Sequence, residues 1–320
     1  MNPADVSQQT EGAVLAVLAG QPAADVAART GIDADELNDA IALYKAAGQD
    51  ALTEQAARRD WYQVRLQFPD WCRCEDAAPL LARRLADAEH NGRIGAWWFI
   101  RKAPHWRLRA LPGPHGPDPL RHILADILDT LVEQQTITRW WPTVYEPEVP
   151  AFGGPGAMDI AHALFHADST HILSHIQNPS PPTGRRELSL LLLCSLFWAA
   201  GLEPFEQGDV WSKVSRLRAL PQDVSTDQLD GLGRGIRKAM NANPSLFAPG
   251  GPLEGAAPWR EAFETAGRSL GEAAAAGTLQ RGLREVLAHH VIFHWNRLGL
   301  NARTQALIAH AASHTMMNEA

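Results

Sequence analysis

Apolar positions along this chain change their period twice. Over residues 11–48 they recur at helical spacing. Val14, Leu15, Val17 and Leu18 lie on a first helix that stops at Gly20, and a second runs from Pro22 to Arg29 and ends at the Thr30-Gly31 turn. A third is capped by Asp33, with Glu36 at capping-box spacing, and carries Ile32, Leu37, Ile41 and Tyr44 as its apolar stripe. From Arg59 the period drops to two. Trp61 to Phe68, Ile94 to Lys102 and Trp106 to Leu111 alternate as half-buried strands, and Ile137 to Tyr145 makes a fourth. Helices are predicted between them over Asp76 to His90 and Asp118 to Gln135. After Gly154 the helical period returns for the rest of the pattern, over Met158 to Asp168, Ser169 to Gln177, Arg186 to Ala200, Val210 to Ala219, Thr226 to Asn243, Pro258 to Ala276 and Leu279 to Arg297. Loops rich in Pro, Gly and Ser, Asn178 to Gly184 and Asn243 to Gly255, punctuate these helices.

A strand-helix-strand-strand-helix-strand order implies an α+β fold with a mostly antiparallel sheet, helices packed on it and a helical C-terminal half. The break near residue 58 divides the chain into a small N-terminal helical appendage, 1–57, and a main domain, 58–320. The turn from Val26 to Ile32 looks like a helix-turn-helix, but its would-be recognition helix bears Asp33, Asp35, Glu36 and Asp39, which would meet phosphates with like charge. The net charge of −7 points the same way, so no DNA partner is expected. Cys72, Cys74 and Cys194 suit neither a disulfide framework nor a four-ligand zinc site, and free thiols are expected. The apolar run from Leu188 to Gly201 is shorter than a membrane span needs and is broken at Glu203 and Glu206, so it reads as a buried helix. Met1 to Thr10 lacks the basic flank and apolar stretch of a secretion signal. The cytoplasm is the expected compartment.

The candidate chemistry collects in three places. Arg107 and Arg109 alternate on one strand, so both guanidinium groups project from one face and, with His105, form a fork suited to a carboxylate; a solvated face with ion pairs is the alternative. The segment Trp140-Trp141-Pro142-Thr143-Val144-Tyr145-Glu146-Pro147-Glu148-Val149-Pro150-Ala151-Phe152-Gly153-Gly154 leads from a strand end through a turn into a helix. Such a scaffold presents side chains to a ligand, here Tyr145, Glu146, Glu148, Phe152 and the two glycines. Glu146 and Glu148 share the same-face geometry at the mouth of the Gly153-Gly154 turn, and would serve as an acid and a base or hold an amine; turn residues paired with a basic side chain are the alternative. Gly153 and Gly154 signal close backbone approach or positive φ. Third, His289, His290 and His294 share the last predicted helix with Asn296 and Arg297; a histidine beside an arginine suits proton transfer, or equally a buried hydrogen bond. The pairs His162/His166 and His171/His175 have metal-binding spacing but no accompanying glutamate, and no metal or cofactor is expected.

His105-Trp106-Arg107-Leu108-Arg109, the Trp140 to Gly154 segment running on into Met158-Asp159-Ile160-Ala161-His162, and Phe293-His294-Trp295-Asn296-Arg297-Leu298-Gly299 together resemble the thiopeptide-type bacteriocin biosynthesis family. Its members are free-standing relatives of the C-terminal elimination domain of lantibiotic dehydratases. The resemblance covers roughly residues 58–312. It implies a precursor peptide with a leader as substrate, and β-elimination of glutamate from glutamylated Ser or Thr as the reaction. It also implies a separate glutamyl-transferring dehydratase subunit as partner, since the chain is too short to include that activity. On this resemblance Arg107 and Arg109 hold the departing glutamate, and Arg297, just under one turn from His294, is a substrate-binding residue. Two positions depart from the family pattern: Ala151 replaces an arginine, and Ile292 replaces a histidine, leaving His294 as the nearest substitute. The pyridine synthases of thiopeptide pathways, which join two dehydroalanines by a formal aza-[4+2] cyclisation and expel the leader, are the other branch of the resemblance. A non-catalytic leader-binding partner is a third alternative.

Overall fold

The computed structural model describes residues 3–178, 183–240 and 242–317; most of the expected loop from Asn178 to Gly184 lies outside them. Contacts divide the chain into two compact units, Met1–Ala57 and Arg58–Ala320. In the first, helices α1 (Pro3–Leu18), α2 (Ala23–Thr30) and α3 (Ala34–Asp60) bury Ala13, Val14, Val26, Ala27, Leu37 and Ile41. Asp33 caps α3 by accepting from the amides of Asp35 and Glu36. Tyr44, assigned to the stripe by its spacing, is exposed at 41%.

The second unit is α+β. Strands β1 (Tyr62–Gln67), β2 (Ile94–Lys102), β3 (His105–Pro112) and β4 (Arg139–Thr143) form one antiparallel sheet in the order β2-β3-β1-β4. Helices α4 (Ala78–His90) and α5 (Pro117–Glu133) follow β1 and β3. Period two separates the sheet's faces. Val64, Leu66, Trp97, Phe99, Trp106 and Leu108 join the large core with the helices, whereas Trp98 and Ile100 join a smaller aromatic core with Tyr145, Phe152 and Phe165.

A short helix α6 (Val149–Phe152) leads into α7 (Pro155–Gln177), followed by α8 (Arg185–Ala199), α9 (Pro204–Leu217), α10 (Thr226–Met240), α11 (Ala257–Ala275), α12 (Leu283–Leu298) and α13 (Ala302–Met317). Helix α7 is continuous where Asp168-Ser169 suggested a boundary. Both residues are fully buried and their side chains serve other elements: Ser169 Oγ accepts from the Phe99 amide, and Asp168 accepts from Trp259, His294 and Arg297. His166 also takes part in covering the β2 edge, its Nδ1 lying 2.9 Å from the Trp97 carbonyl oxygen and 3.3 Å from the Trp97 amide. Strand β4 ends at Thr143, two residues earlier than its periodicity predicted, and residues 144–148 have no regular structure. Among the described residues no helix is long and apolar enough to cross a membrane. Glu203 and Glu206 do end the apolar run of α8, but they do so by capping α9, with the Glu203 amide donating to Glu206.

Candidate functional site

The face of the sheet away from the large core carries a grid of polar side chains fixed by strand register. Arg109 lies opposite Gln63, which lies opposite Thr143; Arg107 lies opposite Arg65, which lies opposite Trp141; His105 lies opposite Gln67, which lies opposite Arg139. The outer rows are knitted together: Arg109 Nε donates to Gln63 Oε1 at 2.7 Å, Gln63 Nε2 donates to Thr143 Oγ1 at 2.7 Å, and Arg139 Nε donates to Gln67 Oε1 at 2.9 Å. The middle row sets two arginines directly against each other, a destabilising pairing. Burial pushes the His105 pKa down, and Arg65, Arg139 and Arg107 push it further. His105 stands edge-on to Trp141 rather than joining Arg107 in a hydrogen-bonded fork.

Arg109 is the deepest of these cations, 3% exposed. Its guanidinium carbon lies 4.0 Å from the Trp98 ring centre and 4.7 Å from that of Tyr145, and its Nη1 has no hydrogen-bond partner. Burial draws its pKa down to about 10, which leaves it charged at neutral pH. Tyr145 in turn is held by its hydroxyl, 2.8 Å from His162 Nε2, and burial raises its pKa. Burial, with help from Arg109, pushes His162 down to about 4.

Across the small aromatic core, Arg297 of α12 is fully buried. Its Nε donates to Asp168 at 2.7 Å, its guanidinium carbon stands 4.2 Å from the Phe165 ring centre, and both terminal nitrogens lack a partner. Trp98 and Phe165 have ring centres 4.7 Å apart, so the two arginines pack on the two members of one aromatic pair. The Asp168 carboxylate that anchors Arg297 also takes Nδ1–H of His294 at 3.0 Å and Nε1–H of Trp259 at 2.8 Å. Burial alone would raise the Asp168 pKa, but His294 and Arg297 outweigh it and hold it at about 2.

His294, the expected substitute for the histidine missing at Ile292, is turned onto Asp168, with its ring packed edge-on against Phe263 and Trp259. One helical turn earlier, His290 lies against Phe152 and Phe165, and neither ring nitrogen has a partner. Burial and Arg297 push its pKa down to about 3, so it is neutral at physiological pH. Spacing sets His290 and His294 one turn apart on the same helix, and nothing local to that helix tells their surroundings apart. The distinguishing residue is Asp168, more than a hundred positions away.

The Tyr145 to Gly154 segment is also sorted by the structure. Because the strand stops before it, Glu146 and Glu148 do not pair: Glu146 is exposed, while Glu148 is half-buried with Oε2 unpartnered, in the field of Arg107, Arg109 and Lys102. Phe152 is fully buried, and its ring supports His290 and Phe293. Gly153 and Gly154 adopt φ +91° and +105°, and a side chain on Gly153 would meet Val286 at 3.0 Å. The close approach at this turn is to the chain's own residues leading into α12, with the Gln280 amide donating to the Gly153 carbonyl at 2.9 Å. No group of three metal-ligating side chains occurs among the described residues.

The model of the family described as "Lantibiotic biosynthesis dehydratase C-term" matches residues 61–316, and the chain belongs to that family. No curated protein matches the chain. Among solved structures it is similar to the tRNA-dependent lantibiotic dehydratase MibB from Microbispora sp. 107891, with 18% identity and a TM-score of 0.57, over 81% of this chain and 28% of that one. It thus spans little more than a quarter of MibB. It is also similar to TsrL, with 16% identity and a TM-score of 0.52, over 80% of this chain and 95% of that one. The pyridine synthase TbtD from thiomuracin biosynthesis aligns at 16% identity and a TM-score of 0.47, over 81% of this chain and 98% of that one. At these identities the structural likenesses concern the fold.

Proposed function

We propose that this member of the lantibiotic dehydratase C-terminal family matures a ribosomally made, leader-bearing precursor peptide by β-elimination of glutamate from glutamylated Ser or Thr. The observation that carries the reading is the partly unpartnered polar set Arg109, Arg297 and His290: Arg109 Nη1, both Nη atoms of Arg297 and both ring nitrogens of a neutral His290 are buried without a hydrogen-bond partner. Arginine edges of this kind match a carboxylate. In the proposed reaction neutral His290 takes the α-proton of the glutamylated residue. The Cα–H electron pair becomes the Cα=Cβ double bond, the Cβ–O bond breaks, and glutamate departs as a carboxylate received by Arg109 and Arg297. Arg107, half-buried further along the same face, draws the anionic ester inward with His105. Tyr145 fixes the Arg109 guanidinium through its ring, and Asp168 with His294 fixes Arg297. A separate glutamyl-transferring subunit supplies the glutamylated peptide.

The second reading, pyridine-forming cyclisation, draws support from Ala151, which stands where elimination domains of the resemblance carry an arginine. Mass spectrometry of the cognate peptide after incubation separates the readings. The proposal expects glutamate to be lost from the glutamylated peptide, leaving dehydroamino acids. Loss of the leader from the dehydrated peptide with ring formation would replace it with cyclisation, and an unchanged peptide held in a stable complex would make the protein a leader-binding partner.

A further inference from the structure

A second cationic site lies where the β2-β3 hairpin meets the start of α13. A cleft of about 440 Å³ is lined by Arg101, Lys102, Arg218, Asn296, Asn301 and Ala302, among others, and no carboxylate is among its lining residues. Arg101 has a side chain only 5% exposed and spends one nitrogen on Glu75, with Nη1 donating to Oε1 at 2.6 Å. Its Nε and Nη2 have no partner. Glu75 does not cancel the charge here, because the same carboxylate also takes both terminal nitrogens of Arg185, at 2.6 and 2.7 Å. One carboxylate between two guanidinium groups leaves a positive charge over. Arg218 adds another: its Nε is fixed by Gln305 Oε1 at 2.7 Å, and Gln305 donates onward to Asn296 at 3.0 Å. The first turn of α13, with Asn301 capping the Thr304 amide at 2.8 Å, brings the positive end of a sixteen-residue helix to the same cleft. Lys102 is exposed at its rim, within the field of Arg107, Arg109 and Arg218 and of the Glu148 carboxylate, and so joins the cleft to the sheet face.

We propose that this cleft is an anion subsite that takes a carboxylate of the peptide substrate at a point removed from the residue being processed. The inference rests on the peptide-maturation reading above. Arg101 and the first turn of α13 line its floor, Arg218 its wall, and Lys102 steers the chain from the cleft toward Arg107. Charge-assisted hydrogen bonds to a buried arginine and a helix N-terminus favour a compact oxyanion over a neutral amide. The two carboxylates a peptide offers, a Glu or Asp side chain and its C-terminus, share that chemistry.

The test uses the full chain and three fluorescently labelled peptides free of glutamyl esters: an amidated Ala/Gln peptide, the same peptide with one Glu, and the same with a free C-terminus. Anisotropy should show a carboxylate peptide binding about tenfold more tightly than the neutral one, and that advantage should disappear in the double variant Lys102→Gln, Arg218→Gln. Whichever carboxylate peptide binds identifies the source. Because Arg218 also holds Gln305, Lys102→Gln alone, at an exposed side chain, serves as the fold-neutral check and should weaken binding in part. Equal affinity for all three peptides, or a carboxylate advantage untouched in both variants, would overturn the subsite. Since these probes carry no ester, failure here leaves glutamate elimination standing, and loss of elimination leaves the binding result standing.

Discussion

Arg101 on β2 and Arg109 on β3 stand on adjacent strands, point to opposite faces of the sheet and are 7% and 3% exposed. The fold treats them differently. Arg101 is hydrogen-bonded to the Glu75 carboxylate, whereas Arg109 is hydrogen-bonded to the neutral Gln63 amide and packed on two aromatic faces, with Glu148 acting on it only through its field. Helix α12 repeats the contrast within one turn: His294 gives its proton to Asp168, and His290, equally buried, gives its proton to nothing. Removing a charge from water costs several kcal/mol even after relaxation. A desolvated cation–π contact returns about 2 kcal/mol, so the aromatic faces offset only part of the cost at Arg109. The lesson is that this fold gives some buried cations a carboxylate of their own and leaves others short of one, Arg109 most of all. A deficit of that kind is repaid when an anionic group binds, which is why the uncompensated set, rather than the most elaborate ion network, is read as the site.

The sharpest way to break this contrast is to remove each histidine in turn. His290→Phe should lower the chemical step of elimination by about two to four orders of magnitude while leaving the urea midpoint little changed. His294→Phe should do the reverse, costing about 1.5–3 kcal/mol of stability through the lost bond to a buried carboxylate, with a smaller effect on rate. Single-turnover kinetics and urea unfolding on both variants measure this, and an exchange of the two phenotypes would show that the compensated histidine is the reactive one.

A smaller effect should appear in acid. Glu75 and Asp168 are both held at about 2 when folded, below their ordinary values of 4.5 and 3.8, because their arginine and histidine partners outweigh the opposing effect of burial. The unfolded chain therefore binds more protons than the folded one between those values. The stability from these pairs is fully present above about pH 4.5 and is lost as pH falls toward about 2. Thermal melts across that window should show a steep fall in wild type and a shallower one in Glu75→Gln; identical slopes would mean that Glu75 is no stronger an anchor than a surface carboxylate.

Much of the architecture is legible in the apolar periods, because alternation and helical spacing report which face of each element is buried. Asp168-Ser169 misleads for a physical reason: polar side chains that resemble a helix start are here tertiary acceptors inside one long helix. The last helix, α13, lies beyond the predicted elements, which end at Arg297; Gly299 at φ +82° and the Asn301 cap mark the break before it. At the site, the same-face geometry of Arg107 and Arg109 follows from strand period alone. What the sequence does not carry is partnership. Nothing local to α12 says that Asp168 will reach His294 and not His290, and nothing in the Glu146-Pro147-Glu148 spacing says that the strand stops first. Those facts depend on how α7, α11 and α12 pack.

The central claim is that the free edge of Arg109 receives the carboxylate of the departing glutamate. The direct measurement is kcat/KM for glutamate release from the glutamylated cognate peptide by Arg109→Lys, with urea unfolding run on the same preparation. Lysine keeps the charge but loses both the Nε anchor to Gln63 and the forked edge. The account predicts a fall of about 10²- to 10³-fold with the fold intact. Turnover equal to wild type in a folded Arg109→Lys protein would contradict it.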